Sequence, residues 1–574
     1  MFNNLIEILS VFKSKYIYRL IFINIFFIIN AFIQLLYVVS IYPLITLILN
    51  QQDVSLNKIN YLNYIINFFP LDPFKVYLLA FAVISLLANL SMIYSNYISF
   101  NFTYNLLTNL RIFFFYNYSK KNYLEIISKN LSFYSINIFQ QLDRVVMNVI
   151  GSLNNLCLQI FLILGLMTPL IIINFEIFLL IFSFFSLIFG TVLLLFKNFY
   201  KKSGEVISRN MEIRSEVLNK LVKNFQEIKI FNIFNYFITK FKLTENSINR
   251  IYKFTSFITN STKPILEIIL VLLFLLFYFL IEKFYNLQLS HFPLFAVFIF
   301  GCYKLAPSFN SIYTSINDIS FNKDALNKIN DEIKNFNYKN SENNKLKEDI
   351  ENINSIKFKN ISFRYPSSSI EAIKDISIDL NKNNIYLIKG VSGSGKTTLL
   401  NILMGLLKPN AGKILINEII IDIFENPNWF KKVAYVPQKI NVLSENIKIN
   451  ISLEFDENKI DIDKIIKALK AVNLYDQFKN RLNEQLNEDG KSISGGQIQR
   501  LGLVRALYKE SEVIIFDEPT ANLDKDNEEQ IMDLIYKLKN NRIIILVSHK
   551  DIDLKNVDKT FYLLNGNLTQ KHFN

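Results

Sequence analysis

Residues 385–406 read Ile-Tyr-Leu-Ile-Lys-Gly390-Val-Ser-Gly-Ser-Gly395-Lys396-Thr397-Thr-Leu-Leu-Asn-Ile-Leu-Met-Gly-Leu406. The apolar run at 385–388 reads as a buried strand, and Thr398–Leu406 reads as the helix after it. The turn between them, Gly390–Thr397, fits the P-loop pattern in the strand-to-helix setting which that pattern needs. Glycines at 390, 393 and 395 let backbone N–H groups turn inward around an anion, and the helix start favours negative charge. Lys396 is placed to reach the outer phosphates of a nucleotide, and Thr397 to ligate Mg²⁺. The stretch predicts an α/β P-loop domain that binds ATP and Mg²⁺. Its phosphate contacts would be Gly390, Ser392, Gly393, Ser394, Gly395, Lys396, Thr397 and Thr398.

Farther along, Val513-Ile-Ile-Phe-Asp517-Glu518 is an apolar run that ends in two carboxylates. A strand buried on both faces reads this way, and its tip would deliver the acids into the site. Asp517 suits Mg²⁺, held outside the ion's immediate ligands, and Glu518 suits polarising the attacking water. Many strands end in acids, so this pattern gains its weight from what surrounds it.

The rest of the 574-residue chain has a different character. Five glycines precede residue 380 and ten lie between Gly390 and Gly566, so tight turns belong to the second half. Apolar residues make up 51% and charged residues 19%, below the roughly 25% charge of ordinary soluble domains. Scarce glycine and proline exclude collagen-like and linker-rich classes. Cys157 and Cys302 lie in long apolar runs, and neither a disulfide framework nor a zinc cluster can be built from two such residues.

Uncharged or nearly uncharged runs occupy Leu20–Asn50, Val76–Leu110, Val145–Phe175, Ile177–Phe196, Phe254–Ile281 and a stretch from Phe292 past Lys304. About 20 residues cross a bilayer, so six membrane helices are expected in place of a large soluble core. The run from Leu20 is too long for a signal peptide and no small-residue cleavage site follows it. Segments 1–19, 111–144 and 197–253 carry three, five and twelve Lys/Arg, whereas the intervening loops carry only Lys58, Lys75 and Lys283. The positive-inside tendency then puts both termini in the cytoplasm. The net charge of +13 is read as topology, and no nucleic-acid partner is expected. Ile59, Leu62, Ile65, Ile66 and Phe69 recur at helical spacing, as in a short external helix on the membrane surface or in an ordinary packed loop. The boundaries expected are a six-helix transmembrane domain at 1–334, a polar linker at 335–352 and a nucleotide-binding domain at 353–574.

The second half resembles the ATP-binding cassette of ABC transporters. Ile493-Ser494-Gly495-Gly496-Gln497 is similar to the family's signature, with Ile where Leu is usual. The resemblance covers roughly residues 355–570. It implies that Tyr365 stacks on adenine, Gln438 belongs to the Q-loop, Asp524 to the D-loop, and His549 is the switch histidine. Glu488 stands where exporters carry a coupling acid. Catalysis would fall to Glu518, His549 and Gln438, and Mg²⁺ to Thr397, Gln438 and Asp517. Ser494, Gly495, Gly496, Gln497 and Asp524 would complete the ATP site of a second cassette, because the signature cannot reach the P-loop of its own chain in this family.

One membrane half and one cassette per chain thus imply a two-fold homodimer of the type IV exporter fold. Two short cytoplasmic helices, near Leu131–Asn137 and Ile233–Phe237, would transmit closure between the halves. With no peptidase before the first helix, peptide-processing exporters are disfavoured. An ATP-driven exporter or flippase is expected over a non-transporting regulator or channel, because Glu518, Gln438 and His549 are intact. Lys263, before Pro264, and Lys304 are candidate cavity residues for an anionic head; Lys263 could instead pair with Glu267, and both lysines could snorkel. Tyr303-Lys-Leu-Ala-Pro-Ser308, with Asn310 and Ser315, resembles the sixth helix of bacterial lipid-linked oligosaccharide flippases. That likeness implies an amphiphilic polyprenyl-pyrophosphate oligosaccharide carried across the bacterial inner membrane for protein glycosylation, with a general lipid, drug or peptide exporter as the alternative.

Overall fold

The computed structural model describes residues 7–8, 14–41, 44–45, 73–173, 175–285, 292–342, 350, 352–366, 368–486, 493–520, 525–548 and 556–571. The chain divides into two compact units, Met1–Lys121 with Lys129–Asn343, and Asn122–Ser128 with Asn344–Asn574.

The first unit is helical. Its long elements are α1 (Ser14–Val39), α2 (Pro73–Ser119), α4 (131–173), α5 (Phe175–Lys223), α7 (Phe234–Tyr285), α8 (Phe292–Phe321) and α9 (Lys323–Glu342). The short α6 (Phe225–Ile230) interrupts them, and so does α3 (Tyr123–Ser128), which belongs to the second unit. Helices α2, α5 and α7 contain 47, 49 and 52 residues. At 1.5 Å per residue each is about 70–78 Å long, more than twice the ~30 Å of a bilayer's hydrocarbon. Each therefore extends far beyond any membrane it crosses. Among the described residues, Tyr16–Val39, Phe74–Ser119 and Leu131–Thr168 are apolar and long enough to span one.

Helix α1 shows which solvent it suits. Ile21, Phe22, Ile25, Ile28 and Phe32 face outward at 51–62% exposure, while Asn30 and Gln34 are buried. Gln34 donates to the Ala88 carbonyl at 2.8 Å and Ser91 donates to Asn30 at 2.6 Å. Apolar side chains outside and polar glue inside is the pattern for helices packed in lipid.

Toward the far end of α2 the core becomes aromatic. Phe114 and Tyr118 pack edge-on against Phe336 of α9 at 5.2 and 5.4 Å. Ala325, Leu326, Ile329, Ile333 and Phe336 form one buried stripe on α9, which corrects the expected linker. Residues 335–342 are helical because Phe336 completes this stripe; their polar residues belong to the helix's other face.

Helix α4 is irregular. It starts at Leu131–Ser135, widens into π-helix at Ile136–Gln141, returns to α at Leu142–Val145, widens again at Val146–Ile150 and continues as Gly151–Ile173. Arg144, between the widened turns, donates to Asn322 at 2.9 Å and Ser208 at 2.5 Å. Beside it α5 and α8 nearly touch: a Cβ added to Gly204 would lie 1.8 Å from the Phe321 carbonyl oxygen.

The short helices also differ from expectation. Leu131 opens α4 after extended backbone at Asn130, and Phe234 opens α7 after Asn232 at φ +54°. The separate short helices are α3 and α6, each one element earlier than expected. Asparagine at 122, 130, 224 and 232 marks every break, in keeping with its preference for caps and left-handed turns.

The second unit holds two sheets. The antiparallel one has the order β2 (Ile373–Asn381), β1 (Ser355–Phe363), β4 (Ala411–Ile416), β5 (Ile419–Ile420). The other has the order β10 (Asn567–Lys571), β9 (Lys559–Leu564), β3 (Asn384–Lys389), β8 (Ile543–Val547), β7 (Val513–Asp517), β6 (Val433–Val436). All pairings in it are parallel except β9–β10. Its helices include α10 (Lys396–Leu403), α11 (Pro427–Lys432), α12 (Ile447–Ser452), α13 (Ile462–Ala471), α14 (Gly495–Tyr508) and α15 (Lys525–Lys537). Every residue of β8 is buried, as a central strand covered on both faces must be. Tyr123 and Leu124 of α3 pack on the apolar cluster shared by β1, β2 and α10.

Candidate functional site

Strands β3, β8 and β7 run side by side, and Val547 is in register with both Ile388 and Asp517. Their tips end level, so the loop after β3 and the acids after β7 share one edge of the sheet. Ligands bind beyond the carboxyl ends of parallel strands. This edge is the candidate site.

The loop is built around its glycines. Gly393 and Gly395 have φ of +79° and +106°, where a side chain would be strained. A Cβ on Gly395 would also lie 2.5 Å from the Ala372 carbonyl oxygen. Ser394 N–H donates to Val391 at 3.2 Å and Leu399 N–H to Gly395 at 2.9 Å. The first-turn N–H groups of Lys396, Thr397 and Thr398 therefore have no acceptor within α10. The Ser394 hydroxyl is buried without a hydrogen-bond partner among the described residues. Lys396 Nζ donates to the carbonyls of Gly390 and Val391 at 2.7 and 3.0 Å. Donors gathered at one concavity fit a chain of phosphates. Burial holds the Lys396 ammonium below the usual lysine range, while Glu518 and Asp517 pull it back up. Tyr365, packed edge-on against Phe363 at 5.0 Å, shares a 3.2 Å hydroxyl contact with Thr398 at the start of the same helix.

The acids sit across from this loop. Glu518 has φ +50°, an uncommon conformation for a non-glycine residue. Its N–H donates to Val547 at 2.9 Å, and its Oε2 accepts from Gln438 Nε2 at 2.6 Å. Asp517 Oδ2 accepts from the Tyr435 hydroxyl at 3.1 Å. Burial first, and then Asp517, push the Tyr435 hydroxyl far above the usual tyrosine range, so it remains a donor. Among the described residues no group of three His, Cys, Asp or Glu could hold a metal unaided. Mg²⁺ commonly binds one or two carboxylates together with nucleotide phosphates. Thr397, Gln438 through its Oε1, and Asp517 fit that manner of binding.

The signature segment is placed separately. Ser494 caps α14 in a reciprocal box: its hydroxyl accepts from Gln497 N–H at 3.3 Å and its own N–H donates to Gln497 Oε1 at 2.7 Å. Among the described residues, a Cβ on Gly495 or Gly496 would meet nothing within 4 Å. That helix start is open with respect to them. Glu488, Asp524 and His549 lie outside the described residues, as do the stretch Ile59–Phe69 and the side chain of Lys263.

Three residues escaped the sequence reading. Tyr435 is the outward position in the otherwise buried strand β6, a signal that the pattern Val-Ala-Tyr-Val contains. Arg505, on α14, donates to the carbonyls of Asn450 and Asn441 at 2.6 and 2.9 Å, tying α14 to α12 and the segment before it. Trp429 is fully buried and donates its indole N–H to the Leu403 carbonyl at 3.0 Å, at the end of the P-loop helix.

The ABC transporter family model matches residues 373–521. The glutathione/L-cysteine transport system ATP-binding/permease protein of Haemophilus influenzae is 30% identical over 213 residues. The ATP-dependent lipid A-core flippase of Ralstonia nicotianae is 29% identical over 213 residues. These alignments take in 36–37% of this chain and the same share of each relative's length. Across almost the whole molecule, a bacterial Atm1-family ABC exporter with ATP bound superposes with a TM-score of 0.74 at 16% identity. That match covers 97% of this chain and 95% of the exporter. Residues 373–521 thus form a domain that matches the ABC transporter family, and the chain that carries them has the fold of an ABC exporter.

Proposed function

We propose that this chain is one half of a homodimeric, ATP-driven exporter or flippase that moves an amphiphile across a bacterial inner membrane, its cassette and both termini in the cytoplasm. The observation that carries ATP hydrolysis is the 2.6 Å bond from Gln438 to Glu518 beside the P-loop edge. It holds a carboxylate in one orientation, where it can polarise a water attacking the γ-phosphate. Gly390, Ser392, Gly393, Ser394, Gly395, Lys396, Thr397 and Thr398 hold the phosphates, Tyr365 meets the adenine, and Thr397, Gln438 and Asp517 serve Mg²⁺. Asp524 and His549 complete the site. The open start of α14 at Ser494–Gln497 supports a site closed by the second chain.

For the cargo we infer a polyprenyl-pyrophosphate oligosaccharide. Lys304 supports an anionic head: its Nζ lies over the rings of Tyr37 and Phe300 at 4.7 and 5.8 Å, held among aromatics. Lys263 is its proposed partner. The alternative, a general lipid, drug or peptide exporter, draws on the range of cargoes among relatives, which include a multidrug resistance transporter and a leukotoxin exporter. The test reconstitutes the chain in liposomes and follows a radiolabelled undecaprenyl-pyrophosphate glycan after ATP is added. Flipping that is lost in Lys263→Ala with Lys304→Ala, while basal ATPase persists, supports the reading. Absence of flipping by the parent protein, with ATPase intact, favours the alternative.

A further inference from the structure

A groove of about 940 Å³ runs along α7 and is closed on one side by Phe199 of α5. Its volume is in the range of pockets that take drug-sized ligands. At one end stand Arg250 and Lys253, and none of the lining residues is acidic. Both basic side chains are exposed. Beyond them the wall is aromatic: Phe254 and Phe257 are 43% and 68% exposed, and Phe199 meets Phe254 edge-on at 4.9 Å. The polar side of the groove is supplied by Asn260 and its serine neighbours. Pro264 lies inside the helix and has no N–H to give, which leaves the Asn260 carbonyl without its usual helical donor.

The order of these features along the helix carries the argument. Lys253 is the last of the twelve basic residues between 197 and 253, and Phe254 opens an apolar run. The groove straddles the point where the chain changes solvent. Arg250 and Asn260 are ten residues apart, about 15 Å along the axis. That is enough for a charged head at one end and the upper part of a hydrocarbon chain on the rings. Basic pockets between membrane helices on the cytoplasmic side suit anionic head groups.

We propose that this groove binds an anionic phospholipid of the cytoplasmic leaflet, its head on Arg250 and Lys253 and its acyl chain on Phe199, Phe254 and Phe257. The site belongs to one chain and does not depend on which cargo is moved.

The test uses the full-length protein in bilayer nanodiscs containing a phospholipid with a diazirine on its acyl chain. Cross-linked peptides are mapped for phosphatidylglycerol and for phosphatidylcholine. Attraction of ~1 kcal/mol per basic residue predicts at least about a fivefold preference for phosphatidylglycerol at 250–264. Arg250→Gln with Lys253→Gln should bring the two lipids to near parity, and Lys229→Gln with Lys240→Gln should leave the preference intact. If free glycerol phosphate at millimolar concentration abolishes labelling, the head alone is recognised and the lipid reading falls. Equal labelling by both lipids in the parent overturns the proposal, as does equal loss in the control pair. Absence of labelling at 250–264 with either lipid also overturns it, because protein then covers the groove.

Discussion

Gln438 and Glu518 lie 80 residues apart in sequence and share a 2.6 Å hydrogen bond at the edge of the central sheet. An amide donor on one carboxylate oxygen fixes which oxygen is left to face the substrate. Glu518→Gln should therefore lower ATP hydrolysis by at least about 10²-fold, the scale for loss of a positioned base. Nucleotide binding should persist, and a closed ATP-bound dimer should accumulate. Phosphate release near the parental rate in the purified variant would remove Glu518 from this role.

Replacing the donor tests the same contact from the other side. Gln438→Glu sets a second carboxylate against Glu518, and like charges at that distance raise the pKa of one of them. A base with a raised pKa is ionised only at higher pH. The acidic limb of the ATPase pH profile should shift upward by about one unit or more. An unmoved limb would mean that Gln438 and Glu518 part before the chemical step.

Lys396 gives a pH dependence at the alkaline end. Burial lowers its pKa, so the ammonium is lost at lower pH than in an ordinary lysine. Its interaction with ATP is then fully present below its own pKa and fades as pH rises through it. Glu518 and Asp517 hold that pKa up, so the fall in ATP affinity should begin at lower pH in Glu518→Gln than in the parent. Fluorescent-nucleotide titrations between about pH 7 and 10 would measure this. Superimposable curves would contradict it.

Two glycines of α5 should respond oppositely to the same change. At Gly204 a Cβ would lie 1.8 Å from the backbone of Phe321, whereas at Gly190 it would meet nothing within 4 Å among the described residues. Gly204→Ala should cost about 1–3 kcal/mol or more as α5 and α8 are forced apart. Gly190→Ala should be neutral or stabilise by up to about 1 kcal/mol through helix propensity. Thermal unfolding of both variants in detergent checks the contrast, and equal midpoints would refute it.

The proposed dimer makes its own demand. Ser494→Arg introduces a long cation at the open start of α14, which should block the γ-phosphate position of the neighbouring chain. Mixed dimers of Ser494→Arg with Lys396→Ala gather both lesions at one site and leave the other free. They should keep roughly half of the parental ATPase, or less where the two sites are coupled. Activity lower than either homodimer alone would count against composite sites.

The candidate edge was marked in the sequence because the proposed chemistry needs fixed residues at short spacing. The loop from Gly390 to Thr397 and the acids at 517 and 518 come together through the register of β3, β8 and β7. Contacts that join distant segments were harder to read. The Tyr435 hydroxyl meets Asp517 only because β6 pairs with β7, and no local pattern reveals that pairing. In the helical half, apolar runs located the long helices but not their breaks. The short helices α3 and α6 are bounded by asparagines in a sequence where asparagine is common, so the composition hides the signal. The polar stretch after residue 335 concealed a helix, since one phenylalanine, Phe336, is enough to anchor its last buried turn.

Trp429 has a consequence for observation. It is the sole tryptophan in the chain, wholly buried, with its indole N–H tied to the carbonyl of Leu403 at the end of α10. Intrinsic fluorescence excited at the indole band therefore comes from one place in the cassette, undiluted by the membrane helices. Its emission maximum should lie toward the blue, as for an indole shielded from water. Any shift when nucleotide is added would report a change at the end of the P-loop helix, so the protein carries its own optical gauge of the candidate site.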